Sequence, residues 1–212
     1  MKRFNDLIEA VVTHADLANK PKKDGAYFIF GRMHPPTAGH DYLIKLGKEY
    51  ADKNNADFYV FLSPSEKGDK NPVPYKARLS AFRNNPSYAD INVVENERIT
   101  TPQHAAGYLH NVLKYPIVAI ISGSDRKADN EETFKAPMRD GTKVHVISLG
   151  GERAMTGKID PSDVSTVKGS KVRALAKAGD YKSFRSSLPP NTSEEDAKNL
   201  FSILGGTTQT AS

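Results

Sequence analysis

Short continuous apolar runs alternate along the chain with segments of helical periodicity. Ala26-Tyr27-Phe28-Ile29-Phe30 and Phe58-Tyr59-Val60-Phe61-Leu62 are unbroken apolar stretches, as expected of strands covered on both faces. Residues 91–94, 117–121 and 143–149 predict three more strands. Between them, residues 41–50 carry Leu43, Ile44 and Leu46 at helical spacing, and 76–83 and 103–114 also read as helices. Strands alternating with helices at this interval predict a mostly parallel sheet with crossover helices. Upstream, Phe4, Leu7, Ile8, Val11 and Val12 recur at helical spacing. Residues 1–24 are therefore expected to be a helical extension ending in a linker, Lys20-Pro21-Lys22-Lys23-Asp24-Gly25. Residues 25–190 form the main domain, and 191–212 a C-terminal helix with a disordered tail from Thr207. In open sheets of this kind a ligand lies beyond the carboxyl ends of the strands, so chemistry is expected just after Phe30, Leu62 and Ile121.

Composition narrows the class without choosing the reaction. The chain has 212 residues, 38% hydrophobic and 26% charged, in the range of a globular protein with one well-buried domain. No apolar run approaches the roughly 20 residues of a bilayer-spanning helix, and the first ten residues lack a signal-peptide core. With no cysteine there is neither a disulfide nor a thiolate metal site, and the cytoplasm is the expected compartment. The formal charge of +5 suits an anionic small substrate. Because the cations are spread out, with no block of five Lys or Arg, nucleic acid is not the expected partner.

Two stretches carry chemistry. The first, Gly31-Arg32-Met33-His34-Pro35-Pro36-Thr37-Ala38-Gly39-His40, leaves a buried strand and enters a helix. Glycines there let phosphate oxygens approach the backbone, and free amides at a helix start favour an anion. A histidine in that place can donate to a phosphate oxygen whose charge grows during transfer. The second, Val167-Lys168-Gly169-Ser170-Lys171-Val172-Arg173, places Gly-Ser before a helical segment with Lys171 and Arg173 in its first turn. Cations there oppose the helix dipole unless an anion binds as well. Such a conflict of local preferences marks a functional site.

The first string resembles the G-R-F-x-P-x-H-x-G-H signature of the HxGH nucleotidylyltransferase superfamily. Gly31, Arg32, Pro35, Gly39 and His40 fall in register, and Thr37 stands where most members have their first histidine, as in the T-x-G-H of phosphopantetheine adenylyltransferases. The second string resembles the I-S-G-T-x-I-R element that clamps the β- and γ-phosphates of ATP, with Lys168 in place of a serine. Asn71-Pro72 followed by Arg78, and Gly179-Asp180-Tyr181 with Leu188-Pro189, are similar to elements of archaeal-type nicotinamide mononucleotide adenylyltransferases. Ser122-Gly123-Ser124-Asp125-Arg126 resembles the G-x-D-R segment that lines the adenosine pocket.

The resemblance implies a Rossmann-like open parallel sheet of about five strands with helices on both faces. It also implies an adenylyltransferase that moves AMP from ATP to a phosphorylated acceptor, nicotinamide mononucleotide first, giving NAD and pyrophosphate. His40, Thr37 and Arg173 would then be catalytic, and Gly31, Arg32, Gly39, Gly123, Asp125, Arg126, Gly169, Ser170 and Lys171 would hold the nucleotide. Asn71, Arg78 and His34 would meet the acceptor, Arg78 through a guanidinium fork suited to phosphate. With no carboxylate cluster for a protein-built metal site, Mg²⁺ would ride on the ATP phosphates. The chain has no tryptophan to stack nicotinamide, and Tyr108 is the candidate substitute. Open alternatives are a phosphopantetheine adenylyltransferase, a cytidylyltransferase-like enzyme, and a non-catalytic binding or structural subunit; a homo-oligomer is compatible with each.

Overall fold

A computed structural model describes residues 11–12, 17, 20–66, 68, 70–150 and 167–207. The expectations for Phe4, Leu7, Ile8 and the tail beyond Thr207 lie outside the described residues. Six parallel strands form one sheet: β1 (Val11–Val12), β2 (Gly25–Gly31), β3 (Ala56–Leu62), β4 (Asn92–Val94), β5 (Ile117–Ser122) and β6 (Val144–Ser148). Their order is β1-β4-β3-β2-β5-β6, so the chain winds outward from β2 to one edge and then crosses back to β5. The five strands read from the sequence all form. The sixth corrects an expectation, since Val11 and Val12 are strand rather than helix, in register with Val93 and Val94. Pairing with the open edge of β4 satisfies backbone groups that a helix would have satisfied internally.

Helices cover both faces. α1 (Ala38–Lys53) and α2 (Tyr75–Arg83) lie on the face where Ile29, Phe58, Val60 and Ile121 pack with Ile44, Leu79 and Phe82. α3 (Pro102–Gly107) belongs to the opposite face, where Phe28, Phe61, Val118 and Ile120 pack with Ala105 and Leu109. The split follows the two-residue period of a strand, odd positions of β2 to one side and even to the other. All seven residues of β3 are buried, as its unbroken apolar run requires. The helix expected over 103–114 changes pitch. After Gly107 it continues as a π turn, Tyr108–Val112, closed by the Leu113 amide on the Tyr108 carbonyl. α4 (Lys127–Thr133) precedes β6.

Three further helices, α5 (Gly169–Lys177), α6 (Tyr181–Ser186) and α7 (Glu194–Ile203), pack on α1 and α2 through Ala38, Ala81, Val172, Phe184, Leu200 and Phe201. Both flanking segments are joined closely to the main unit. Leu17 is 2% exposed in the core, Lys20 Nζ donates to Asn92 at 2.8 Å, and the Lys23 amide donates to Asp57 at 3.0 Å. At the other end Asp196 accepts from Ser80 Oγ at 3.1 Å and from Asn84 Nδ2 at 3.0 Å.

Candidate active site

The winding reverses between β2 and β5, where a doubly wound sheet opens a crevice beyond its carboxyl ends. The first motif begins there. Arg32 is exposed, whereas Met33 turns the chain at φ +49° and is buried. Thr37 then starts α1 as its N-cap, in extended geometry at φ −131° and ψ 164°. Its hydroxyl accepts from the His40 amide at 3.4 Å, and its own amide donates to His40 Nδ1 at 3.1 Å. This is a reciprocal capping box in which histidine stands where Glu or Gln is usual. Gly39 is buried and His40 is half-buried.

The second motif meets the first. Thr37 Oγ1 donates to the Val167 carbonyl at 3.3 Å, and Arg173 Nη1 donates to the His34 carbonyl at 2.7 Å. α5 begins at Gly169 behind an N-cap Lys168 that makes no side-chain cap. A methyl on Gly169 would lie 3.4 Å from the His34 carbonyl oxygen and 3.5 Å from Arg173 Nη1, in ordinary van der Waals contact with both. Ser170 is exposed, and Lys168, Lys171 and Arg173 are half-buried. Burial first, and then the charge of nearby Arg32, push the Arg173 pKa down. The structure therefore brings Gly31, Arg32, Thr37, His40, Gly169, Ser170, Lys171 and Arg173 to one end of the sheet.

The three acceptor candidates are placed differently. Arg78 is 0% exposed. Its Nε donates to the Val73 carbonyl at 3.1 Å, and its Nη1 to the carbonyls of Arg32 at 2.7 Å and Ser63 at 2.8 Å. It ties the loop after β2 to the loop after β3, while its Nη2, also buried, finds no hydrogen-bond partner among the described residues. Burial holds its pKa down near 10. His34 is also buried, with Nδ1 accepting from the Val73 amide at 3.2 Å. Its Nε2 faces the Ser65 backbone without a well-formed hydrogen bond. Burial, with Arg78, Arg173 and Arg32 around it, lowers the His34 pKa to about 3. Asn71 is buried too, donating to Ser65 Oγ at 3.0 Å. These three side chains form the floor of the loop at 63–74.

At the end of β5, Gly123 is buried while Asp125 and Arg126 are exposed, and Arg126 pairs with Asp129 at 3.0 Å. Gly123 has φ −69°, which any residue adopts, so the backbone there does not require a glycine. Tyr108 does not offer a stacking face. It is 9% exposed and meets the Phe61 ring edge-on at 6.2 Å. The sequence reading missed Ser122, a buried hydroxyl at the end of β5 that finds no partner among the described residues. It also missed the carbonyls of His34, Val167 and Ser187, the last of which accepts from the Ala38 amide at 3.0 Å. Backbone acceptors leave no trace in residue identity. Among the described residues no three His, Asp or Glu side chains converge as a metal site would need.

Comparison with solved structures gives the fold a relative. Nicotinic acid mononucleotide adenylyltransferase of Plasmodium falciparum, complexed with NaAD, is similar with a TM-score of 0.56 and 16% identity, over 84% of this chain and 98% of that one. The same enzyme complexed with APC gives a TM-score of 0.53 and 15% identity, over 85% and 98%. What is shared is the fold, a Rossmann-like parallel sheet with helices on both faces. No family model and no curated protein matches the sequence. No helix among the described residues is long and apolar enough to cross a membrane.

Proposed function

We propose that the chain is an adenylyltransferase transferring AMP from ATP to a phosphorylated acceptor, with nicotinamide mononucleotide as the acceptor and NAD and pyrophosphate as products. One observation carries the reading. The start of the helix bearing His40 and the segment bearing Arg173 are stitched together by Thr37–Val167 and Arg173–His34 hydrogen bonds, with Arg32 near enough to act on the charge of Arg173. Like charges held this close call for a polyanion, and a triphosphate supplies it. The adenylyltransferase fold of the neighbours supports the same choice.

In this reading an oxygen of the acceptor phosphate attacks the α-phosphorus in line. The new P–O bond forms as the bond to the β-phosphate oxygen breaks, and pyrophosphate leaves with the electron pair. The acceptor is already an anion, so no base is required of the protein. His40 donates a ring N–H to the α-phosphate, and Ser170, Lys171 and Arg173 hold the departing pyrophosphate. Gly31, Arg32 and Gly39 let the chain of phosphates lie close to the backbone, and Gly123, Asp125 and Arg126 stand on the adenosine side. Catalysis then comes from orientation and fixed charge. Mg²⁺ would be carried by the ATP phosphates, keeping several of its waters.

The test is a panel assay. The protein is incubated with Mg²⁺-ATP and, separately, nicotinamide mononucleotide, nicotinic acid mononucleotide and phosphopantetheine, and pyrophosphate is followed. The expected result is release with nicotinamide mononucleotide above the other two. Release with a different acceptor would keep the adenylyltransferase and replace its substrate; silence across the panel would favour a non-catalytic binding subunit.

A further inference from the structure

We propose that Thr37 is a positioning residue that, as N-cap of α1, locks His40 in the tautomer with its proton on Nε2. The argument begins with a group that has no choice. A backbone N–H can only donate, and the Thr37 amide points at His40 Nδ1 from 3.1 Å. Nδ1 must therefore be the acceptor, and the neutral ring carries its hydrogen on Nε2, on the side away from the cap. A hydrogen on Nδ1 would meet the amide hydrogen head-on.

The hydroxyl completes the device. Thr37 Oγ1 accepts from the His40 amide and lies 2.8 Å from Nδ1, so with Nδ1 bare its hydrogen points to that nitrogen, leaving the Val167 carbonyl at 3.3 Å as the more distant of its two acceptors. With 1% of its surface exposed, Thr37 has nothing to offer a phosphate, in contrast to the direct role its motif suggests. The usual Glu at this place in a capping box would accept the amide equally well but leave no donor behind. Imidazole has an acceptor on one side and a donor on the other, so one ring both finishes the helix and presents a hydrogen. Because Val167 leads into α5, the same hydroxyl ties the orientation of that ring to the second motif.

The inference rests on the adenylyltransferase reading only for what Nε2–H donates to. Its first test is independent of activity: nitrogen-15 NMR of the histidine rings in the full chain at neutral pH, with His40→Asn used to assign the signal. A bare Nδ1 and a protonated Nε2 are expected without any substrate; the reverse pattern, or an averaged mixture, would overturn the lock. The second test is kinetic. Thr37→Val should lower kcat up to about tenfold, as for one lost hydrogen bond, with the KM for ATP unchanged, and Thr37→Ser should restore it. A raised KM with kcat intact would make Thr37 a phosphate ligand and refute the positioning role. Should the valine variant fail to fold, the NMR pattern of the wild type still decides.

Discussion

Two helices begin at this site, and they begin in opposite ways. α1 is closed on itself: Thr37 and His40 satisfy each other's polar groups, and the Ser187 carbonyl takes the Ala38 amide. α5 starts at Gly169 with no side-chain cap and with Lys171 and Arg173 in its opening turns. A capped start is rigid and can aim a single donor. An open, cationic start costs stability until an anion completes it. On the proposed function the pair would divide the work of a transfer site, one end fixed for the reacting phosphorus and the other filled by the leaving group.

That contrast can be broken at either end. The largest effect is expected from His40→Ala, which should lower turnover about a hundredfold or more, as for loss of one donor to a developing oxyanion. Denaturant unfolding of the same variant should show a loss of only about 1 kcal/mol, the worth of a helix cap. Unchanged turnover would remove His40 from the chemistry. Arg173→Ala should act through ligand affinity, weakening ATP binding about tenfold and slowing transfer, since charged hydrogen bonds to phosphate and one to the His34 carbonyl are lost. Wild-type kinetics there would undo the phosphate-clamp assignment.

The smallest effect sharpens the comparison from below, at the floor that carries both starts. His34 has a folded pKa of about 3, below the roughly 6.5 of an exposed histidine. The unfolded chain takes up that proton first as the pH falls. Stability from the neutral ring is therefore full above about pH 6.5 and is lost progressively toward pH 3. Denaturation at pH 7 and pH 5 should show the wild type losing more between the two than His34→Asn. Identical losses would mean that the ring is not buried uncharged.

Much of this was legible in the residues. The strands at Ala26–Phe30 and Phe58–Leu62 declared themselves because a strand covered on both faces has no polar positions to confuse its pattern. The two motifs were legible because glycine, histidine and arginine in fixed order leave few other readings. What stayed hidden depended on neighbours distant in sequence. Val11 and Val12 fit a helical period and a strand equally well, and only the free edge of β4 decided between them. Arg78 has the right chemistry for a phosphate, but its name does not tell that Nε and Nη1 would go to three carbonyls of the protein and leave Nη2 unmatched. Nothing in a residue name tells whether its partner will be a ligand or the protein's own backbone.

The bond between Thr37 and Val167 spans 130 residues, and so sets an order of events during synthesis. The last strand of the sheet ends at Ser148, but the start of α1 gains its contact with Val167 only once the segment leading into α5 has followed. A chain grown only through β6 would thus carry the sheet before its two motifs can meet.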